Sequence, residues 1–413
     1  MGSSDSAPSS QPESSTSSKG RFARHLHPAD LRGAAQLATE ATLGTTRLVE
    51  AVHAAVLSSI KPGTTTSPSR TSGLTGWVYR LVRRIAHLSG RGTTWALGAL
   101  EPLLGPAPRP ETEARQRLLS VLNGVVGDHL ATSGSPLAQP FTLHAPDGRR
   151  LHVEALEAAG ADPIVVFVHG LCLSDRDWGR EVGERPGLVE SVSAAVDGTP
   201  VLARYNSGRP IWENGLALAE HLDALTNRPA GSSRIILITH SMGGLVARSA
   251  VHHAHRTGAR WPERITETVY LGTPHCGAPL EQSGAWIEKQ LGRSSLTAPF
   301  AGLADLRSRG IQDLRQGTIA PHDHSRSPSS TQRDLPGFTS GRSLNVAAAL
   351  TSRLRAPGPI GDGLVPVSSA LAQPSGPPGA TRRVFEGMGH LALLHDPAVT
   401  AYLCRWLSTG ENA

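Results

Sequence analysis

Ser241 sits where a hydroxyl could be made to react. The residues before it, Ile235-Ile236-Leu237-Ile238-Thr239-His240, form an apolar and β-branched run that reads as a buried strand, and an apolar helical pattern starts directly after it. On a sharp strand–turn–helix bend the serine side chain is pushed off the sheet edge, and the residue two positions on must be small because strand and helix nearly touch. Gly243 meets that demand. Thr239 stands where the G-x-S-x-G form of this bend has its first glycine, and a β-branched residue there is expected to shift the bend slightly. A serine at a helix start is otherwise only a cap, so its reading as a nucleophile depends on partners elsewhere in the chain.

A serine hydroxyl is a weak nucleophile at neutral pH. It needs a general base, and the base needs a carboxylate to orient it. Downstream, Asp362 lies between Gly361 and Gly363 in GDGLVPVSSAL, and His390 follows a strand-like run at 381–386 and the turn Gly387-Met388-Gly389. Singly, Asp362 could be a turn residue bonding its own backbone, and His390 a capping histidine. Together, in the order Ser241, Asp362, His390 and each at the end of a strand, they read as a catalytic triad. His395 is a rival base, but Asp396-Pro397 just after it reads as a helix start. His240 abuts the serine and is expected to point away along the bend, with no role as base.

Acyl transfer to a serine also requires N–H donors aimed at the oxyanion that develops. Met242, directly after the nucleophile, supplies one. Leu171, after the buried run ending Val168-His169-Gly170, is placed to supply the other, with His169 and Gly170 shaping that loop. No cofactor is expected, since no G-x-G-x-x-G follows an early strand. His322-Asp323-His324 is read as a polar loop and no metal site is expected, because one short cluster does not make a closed coordination shell. Cys172 is taken as a small buried residue.

The elements that must position these groups alternate. Residues 141–156 read as a hairpin around Asp147-Gly148, followed by strands at 163–170, 199–206, 234–240 and 264–274, with helices at 212–226 and 242–257. Such alternation argues a parallel sheet covered on both faces. Residues 276–345 interrupt it, with helical pieces expected near 281–292 and 299–314 and a strand at 344–350. A strand at 381–386 and a helix at 396–408 close the chain. Upstream, residues 1–27 read as a disordered tail and 28–134 as a helical extension, with helices expected at 28–60, 74–89 and 112–131 and a linker at 61–73. The α/β part then spans 135–413, with its insertion at about 276–345.

The 413 residues include 40 basic and 34 acidic ones, for a formal charge of +6, and all but three of the basic residues are Arg. We read this as coding bias of a GC-rich genome. Residues 1–130 carry 14 basic against 9 acidic residues, so the excess belongs mainly to the extension and is too diffuse for a nucleic-acid footprint. Three widely spaced cysteines argue against a disulfide framework. No run reaches the ~18 apolar residues of a membrane span, and the Ser-rich first twenty residues lack a secretory core. A cytoplasmic protein is expected. The basic face of 74–89, opposite Trp77, is compatible with peripheral contact to an anionic membrane, though such a helix more often packs its apolar face on the protein body.

Five blocks in order, VHGLCLSDRDW (168–178), THSMGGLVARSA (239–250), LGTPHCGAPLE (271–281), GDGLVPVSSAL (361–371) and GHLALLHDPAV (389–399), together resemble the bacterial serine esterase/lipase branch of the α/β-hydrolase superfamily. RYNSGRPIWENG (204–215) resembles a signature of the same branch. The resemblance covers about residues 140–408. It implies an α/β-hydrolase fold, hydrolysis of a small-molecule or lipid carboxylic ester through an acyl-enzyme, a pocket-shaping role for His275, and an insertion that caps the site. The same triad would serve an acyltransferase, a thioesterase or an amidase. The alternative from another class is a non-catalytic membrane-associated module on a hydrolase scaffold.

Overall fold

The computed structural model describes residues 29–30, 32–40, 84, 88, 113–152, 154, 156, 161–179, 186–226, 234–278, 308–321, 341–351, 361–372 and 379–410. The chain divides into two compact units, Met1–Arg115 and Gln116–Ala413. In the first, residues within 29–40 are helical, and Arg115 forks onto the Asp30 carboxylate at 2.7 and 2.8 Å. The expected tail at 1–27, the linker at 61–73 and most of the expected helices at 28–60 and 74–89 lie outside the described residues. Of 74–89 only Arg84 and Leu88 are described, both exposed.

The second unit is built on one eight-stranded sheet. Its strands are β1 (Thr142–His144), β2 (Arg150–Leu151), β3 (Ile164–Val168), β4 (Thr199–Arg204), β5 (Ile235–His240), β6 (Ile265–Leu271), β7 (Arg342–Ala349) and β8 (Thr381–Glu386). They lie in the order β2-β1-β4-β3-β5-β6-β7-β8. β1 runs antiparallel to β2 and β4, and every other neighbouring pair is parallel. The sequence explains the difference. β3 and β5 are apolar almost throughout and buried at every position, as parallel strands covered on both faces must be. The hairpin β1–β2 is closed at Asp147-Gly148, where Gly148 takes φ +85° and its N–H donates to Ala145.

Helices cover both faces. They are α1 (Glu113–Thr132), α2 (Leu188–Ala195), α3 (Ile211–Thr226), α4 (Met242–Thr257), α5 (Arg309–Gln316), α6 (Val367–Ala370) and α7 (Pro397–Thr409). One face packs Val165, Phe167, Ile236, Ile238, Leu344 and Val346 against α2 and α7, with Trp406 wholly buried. On the other, α4 lies against β3 and β5 and packs on α3. The two helices approach closely at Gly215, where a Cβ would come within 2.4 Å of Ser249 Oγ.

Two expectations change. α2 was not anticipated: it is only two turns long, and its Leu188, Val189 and Val192 show too short a period to read. α1, assigned to the extension, falls almost wholly in the second unit. Its Asn123 amide donates to the Leu137 carbonyl, and Ser308 donates to the carbonyl of Gly124. Of the insertion, 308–321 carries α5, which overlaps the expected 299–314 and runs two residues beyond it, while 281–292 lies outside the described residues.

The parallel register decides where chemistry can occur. Val168 pairs with Thr239, His240 with Leu271, Leu271 with Val346, and Ala349 with Glu386. The strands therefore end together, and the residues that follow them emerge along one carboxyl edge, where open α/β sheets bind ligands.

Candidate functional site

Ser241 leaves that edge in a backbone conformation that L-residues avoid, φ 53° and ψ −124°. Such a conformation costs about 1–3 kcal/mol and persists only where the surroundings impose it. Here they do. The Ser241 N–H donates to the Leu271 carbonyl at 2.8 Å, and α4 begins at the next residue. A Cβ on Gly243 would lie 2.1 Å from the Val168 carbonyl oxygen and 2.6 Å from that of His169, so strand and helix do nearly touch there. A Cβ on Gly244 would strike Thr273 in the same way. Thr239 does not disturb the bend. It is fully buried, and its hydroxyl donates to the Val269 carbonyl at 2.8 Å, so the β-branched side chain is absorbed by the neighbouring strand.

Asp362 and His390 meet each other. His390 Nδ1 is 2.6 Å from Asp362 Oδ2, and both side chains are buried. The other carboxylate oxygen, Oδ1, accepts the N–H groups of Leu364 and Val365 at 2.9 and 2.8 Å. The His390 N–H donates to the Asp362 carbonyl, so backbone and side chain lock the pair twice. A carboxylate can only accept, so Nδ1 carries a proton, and in the neutral ring the lone pair then falls on Nε2. Gly272 ties this pair to the bend. It follows Leu271, whose carbonyl holds Ser241, and a Cβ on it would be 3.1 Å from His390 Cε1.

The loop after β3 passes along the other side of Ser241. A Cβ on Gly170 would be 2.9 Å from the Ser241 Cβ, so Gly170 packs against the serine, with Leu171 next in the chain, and Met242 opens α4 directly after Ser241. The His169 ring is buried, and burial pushes it down to about 4, so it is neutral at physiological pH. His275 lies behind the edge rather than on it. Its Nε2 meets Asn345 Oδ1 at 3.1 Å and its ring packs edge-on to Tyr270. Burial first, then the nearby Arg248 cation, holds it well below the ordinary histidine range.

His240 corrects the sequence reading. Its side chain does not point away. The ring packs 4.7 Å from that of His390, and its Nε2 is 3.3 Å from the His390 carbonyl oxygen. Burial, with the His390 ring beside it, keeps it neutral. Its neighbour in sequence is the serine and its neighbour in space is the histidine 150 residues on. Only the strand ending at 240 and the turn after β8 bring the two together, and no local signal announces it. Cys172 is buried, with its thiol pushed up to about 12 by burial. His322-Asp323-His324 lies outside the described residues, and among the described residues no group of His, Cys, Asp and Glu could hold a metal ion.

Residues 216–340 match the family described as PGAP1-like alpha/beta domain. That stretch runs from within α3 through β5, the Ser241 bend, α4 and β6 and ends just before β7. None of the curated proteins matches the chain in sequence. Among solved structures, the mature form of the lipase BlEst2 from Bacillus licheniformis is similar at 19% identity and a TM-score of 0.39, over 59% of this chain and 92% of that one. The hyperthermophilic esterase of the archaeon Pyrobaculum calidifontis is similar at 13% identity and a TM-score of 0.37, over 61% of this chain and 78% of that one. The sheet order and the strand–helix bend at Ser241 give the chain the α/β-hydrolase fold, and the family match lies over the part of it that carries that bend.

Proposed function

We propose that the chain is a serine hydrolase that cleaves carboxylic esters through an acyl-enzyme. One observation carries the reading: a serine held at positive φ between strand and helix, and a buried Asp362–His390 pair at 2.6 Å, both lie past strand ends at the carboxyl edge of one sheet. A merely capping serine needs neither the strain nor the pair. The names of similar structures, a lipase and an esterase, agree with it.

In this reading His390 Nε2 takes the Ser241 hydroxyl proton as Oγ attacks the ester carbonyl carbon. The carbonyl electrons move onto oxygen, and the N–H groups of Leu171 and Met242 receive that oxyanion, the latter aided by the positive end of the α4 dipole. Collapse breaks the ester C–O bond, and the leaving alkoxide takes the proton from His390. Water then attacks the acyl-enzyme, gives its proton to Nε2, and the acid departs as the proton returns to Ser241. Asp362 holds the imidazole in the tautomer that each step needs.

Labelling by a fluorophosphonate probe tests the assignment. Wild type is expected to label and Ser241→Ala not to, with p-nitrophenyl acetate or butyrate hydrolysis lost in parallel. Labelling that persists in the alanine variant would sink the assignment.

A further inference from the structure

The segment RYNSGRPIWENG reads as a signature without a stated task, and the structure gives its first four residues one. Arg204 forks onto Asp175 at 2.6 and 3.0 Å in a buried pair. The Tyr205 hydroxyl donates to the His169 carbonyl at 2.6 Å, and its ring stacks on the His169 ring at 4.3 Å and 17°. The Asn206 amide donates to the Gly127 carbonyl of α1 at 2.8 Å. Ser207 Oγ accepts the Cys172 N–H at 3.1 Å. All four act on the loop that follows β3 or on the helix behind it.

These contacts converge on Leu171. A peptide group is planar and trans, so the Gly170 carbonyl and the Leu171 N–H point in opposite directions within one plane. His169 Nδ1 lies 2.8 Å from that Gly170 oxygen, which can only accept, and the Leu173 N–H reaches the same oxygen at 3.3 Å. Holding the carbonyl on the His169 side turns the Leu171 N–H to the other. The His169 ring keeps its own orientation by stacking on Tyr205. The next peptide, carrying the Cys172 N–H, is fixed by Ser207. Cys172 needs that restraint, because it sits at φ +58°. Burial pushes the Tyr205 phenol far above its usual range, so it stays a donor at any working pH.

We propose that Tyr205 and Ser207 are positioning residues of the oxyanion loop: the Tyr205 hydroxyl fixes the His169–Gly170 peptide just before the one that carries the Leu171 N–H, and Ser207 fixes the Leu171–Cys172 peptide just after it, so that the Leu171 N–H faces the oxyanion formed at Ser241. The proposal rests on the serine hydrolase reading above. Neither side chain touches the reacting atoms. Their effect therefore falls on the transition state rather than on substrate binding.

The test uses the full chain with Tyr205→Phe, which keeps the stacked ring and removes the hydroxyl, and Ser207→Ala. Three quantities are read: kcat and KM on a p-nitrophenyl ester, the inhibition constant of a trifluoromethyl ketone that adds reversibly to serine as a tetrahedral oxyanion, and the melting temperature. Misplacement by a fraction of an ångström is expected to lower kcat about ten- to a hundred-fold, with KM within about twofold. The ketone should weaken by the same factor as kcat/KM. A purely structural role would lower the melting temperature without this parallel. If folded variants keep kcat within twofold, or lose it without weakening the ketone, the proposal is overturned. Should Tyr205→Phe not fold, Ser207→Ala decides by the same criteria. A wild type inert to both ester and fluorophosphonate would instead bring down the reading of Ser241, and this inference with it.

Discussion

Asp362 does two things with one carboxylate, and the two can be separated. Oδ1 stabilises the turn by accepting from Leu364 and Val365, while Oδ2 receives the His390 Nδ1–H. Asp362→Asn can keep the first task with its amide oxygen. Its amide N–H₂ would then face Nδ1 and favour the proton on Nε2, the nitrogen that must be free to accept. We expect kcat on p-nitrophenyl esters to fall roughly 10³- to 10⁴-fold, with the melting temperature little changed. A loss under about tenfold would remove Asp362 from the orienting role. Ser241, Asp362 and His390 could be singled out as candidates in the sequence because each lies beside a strand and carries glycines next to it, and the structure adds the Asp362–His390 bond. The fitting of Thr239 and the placement of His240 were not legible there. The first depends on the Val269 carbonyl of the adjacent strand and the second on the loop after β8, and neither neighbour is local in sequence.

At the scale of elements, the glycines behind the serine show which close approaches are rigid. A Cβ at Gly243 meets two backbone carbonyls, at 2.1 and 2.6 Å, and neither can rotate aside. A Cβ at Gly127 in α1 meets the Asn206 side chain at 1.9 Å, and that amide can turn. Alanine gains about 1 kcal/mol over glycine in a helix, which partly offsets the loss at Gly127. We therefore expect Gly243→Ala to destabilise by about 3 kcal/mol or more, near the upper end for overpacking. Gly127→Ala should cost about 1 kcal/mol, mainly through the lost bonds of Asn206. Urea unfolding of the two variants compares them, and equal losses would show the α4–β3 contact to be softer than it looks. The strands and helices around this contact were readable because burial on both faces writes continuous apolar runs. The union of α1 with the hydrolase unit was not, since a helix's apolar stripe does not say which surface it will meet.

Across the whole molecule, burial keeps neutral a set of histidines on the site edge and behind it. His169 is held at about 4, and His240 and His275 lie well below the ordinary range. The unfolded chain binds a proton on each near pH 6.5, and the native chain does not until far lower. Between about pH 6.5 and 4 the unfolded state thus carries more protons, and stability must fall as pH falls. Above 6.5 both states are neutral at these positions and the effect vanishes; for His169 it stops growing below about 4. At pH 5 His169 alone would lower stability by about 2 kcal/mol relative to pH 8. Melting curves from pH 8 to pH 4.5 should show a plateau and then a decline that steepens below about 6.5. His275→Gln removes one of these groups without touching Ser241, Asp362 or His390. Its decline should be shallower than wild type even if its plateau lies lower, and parallel curves would mean that His275 takes up its proton in the folded state.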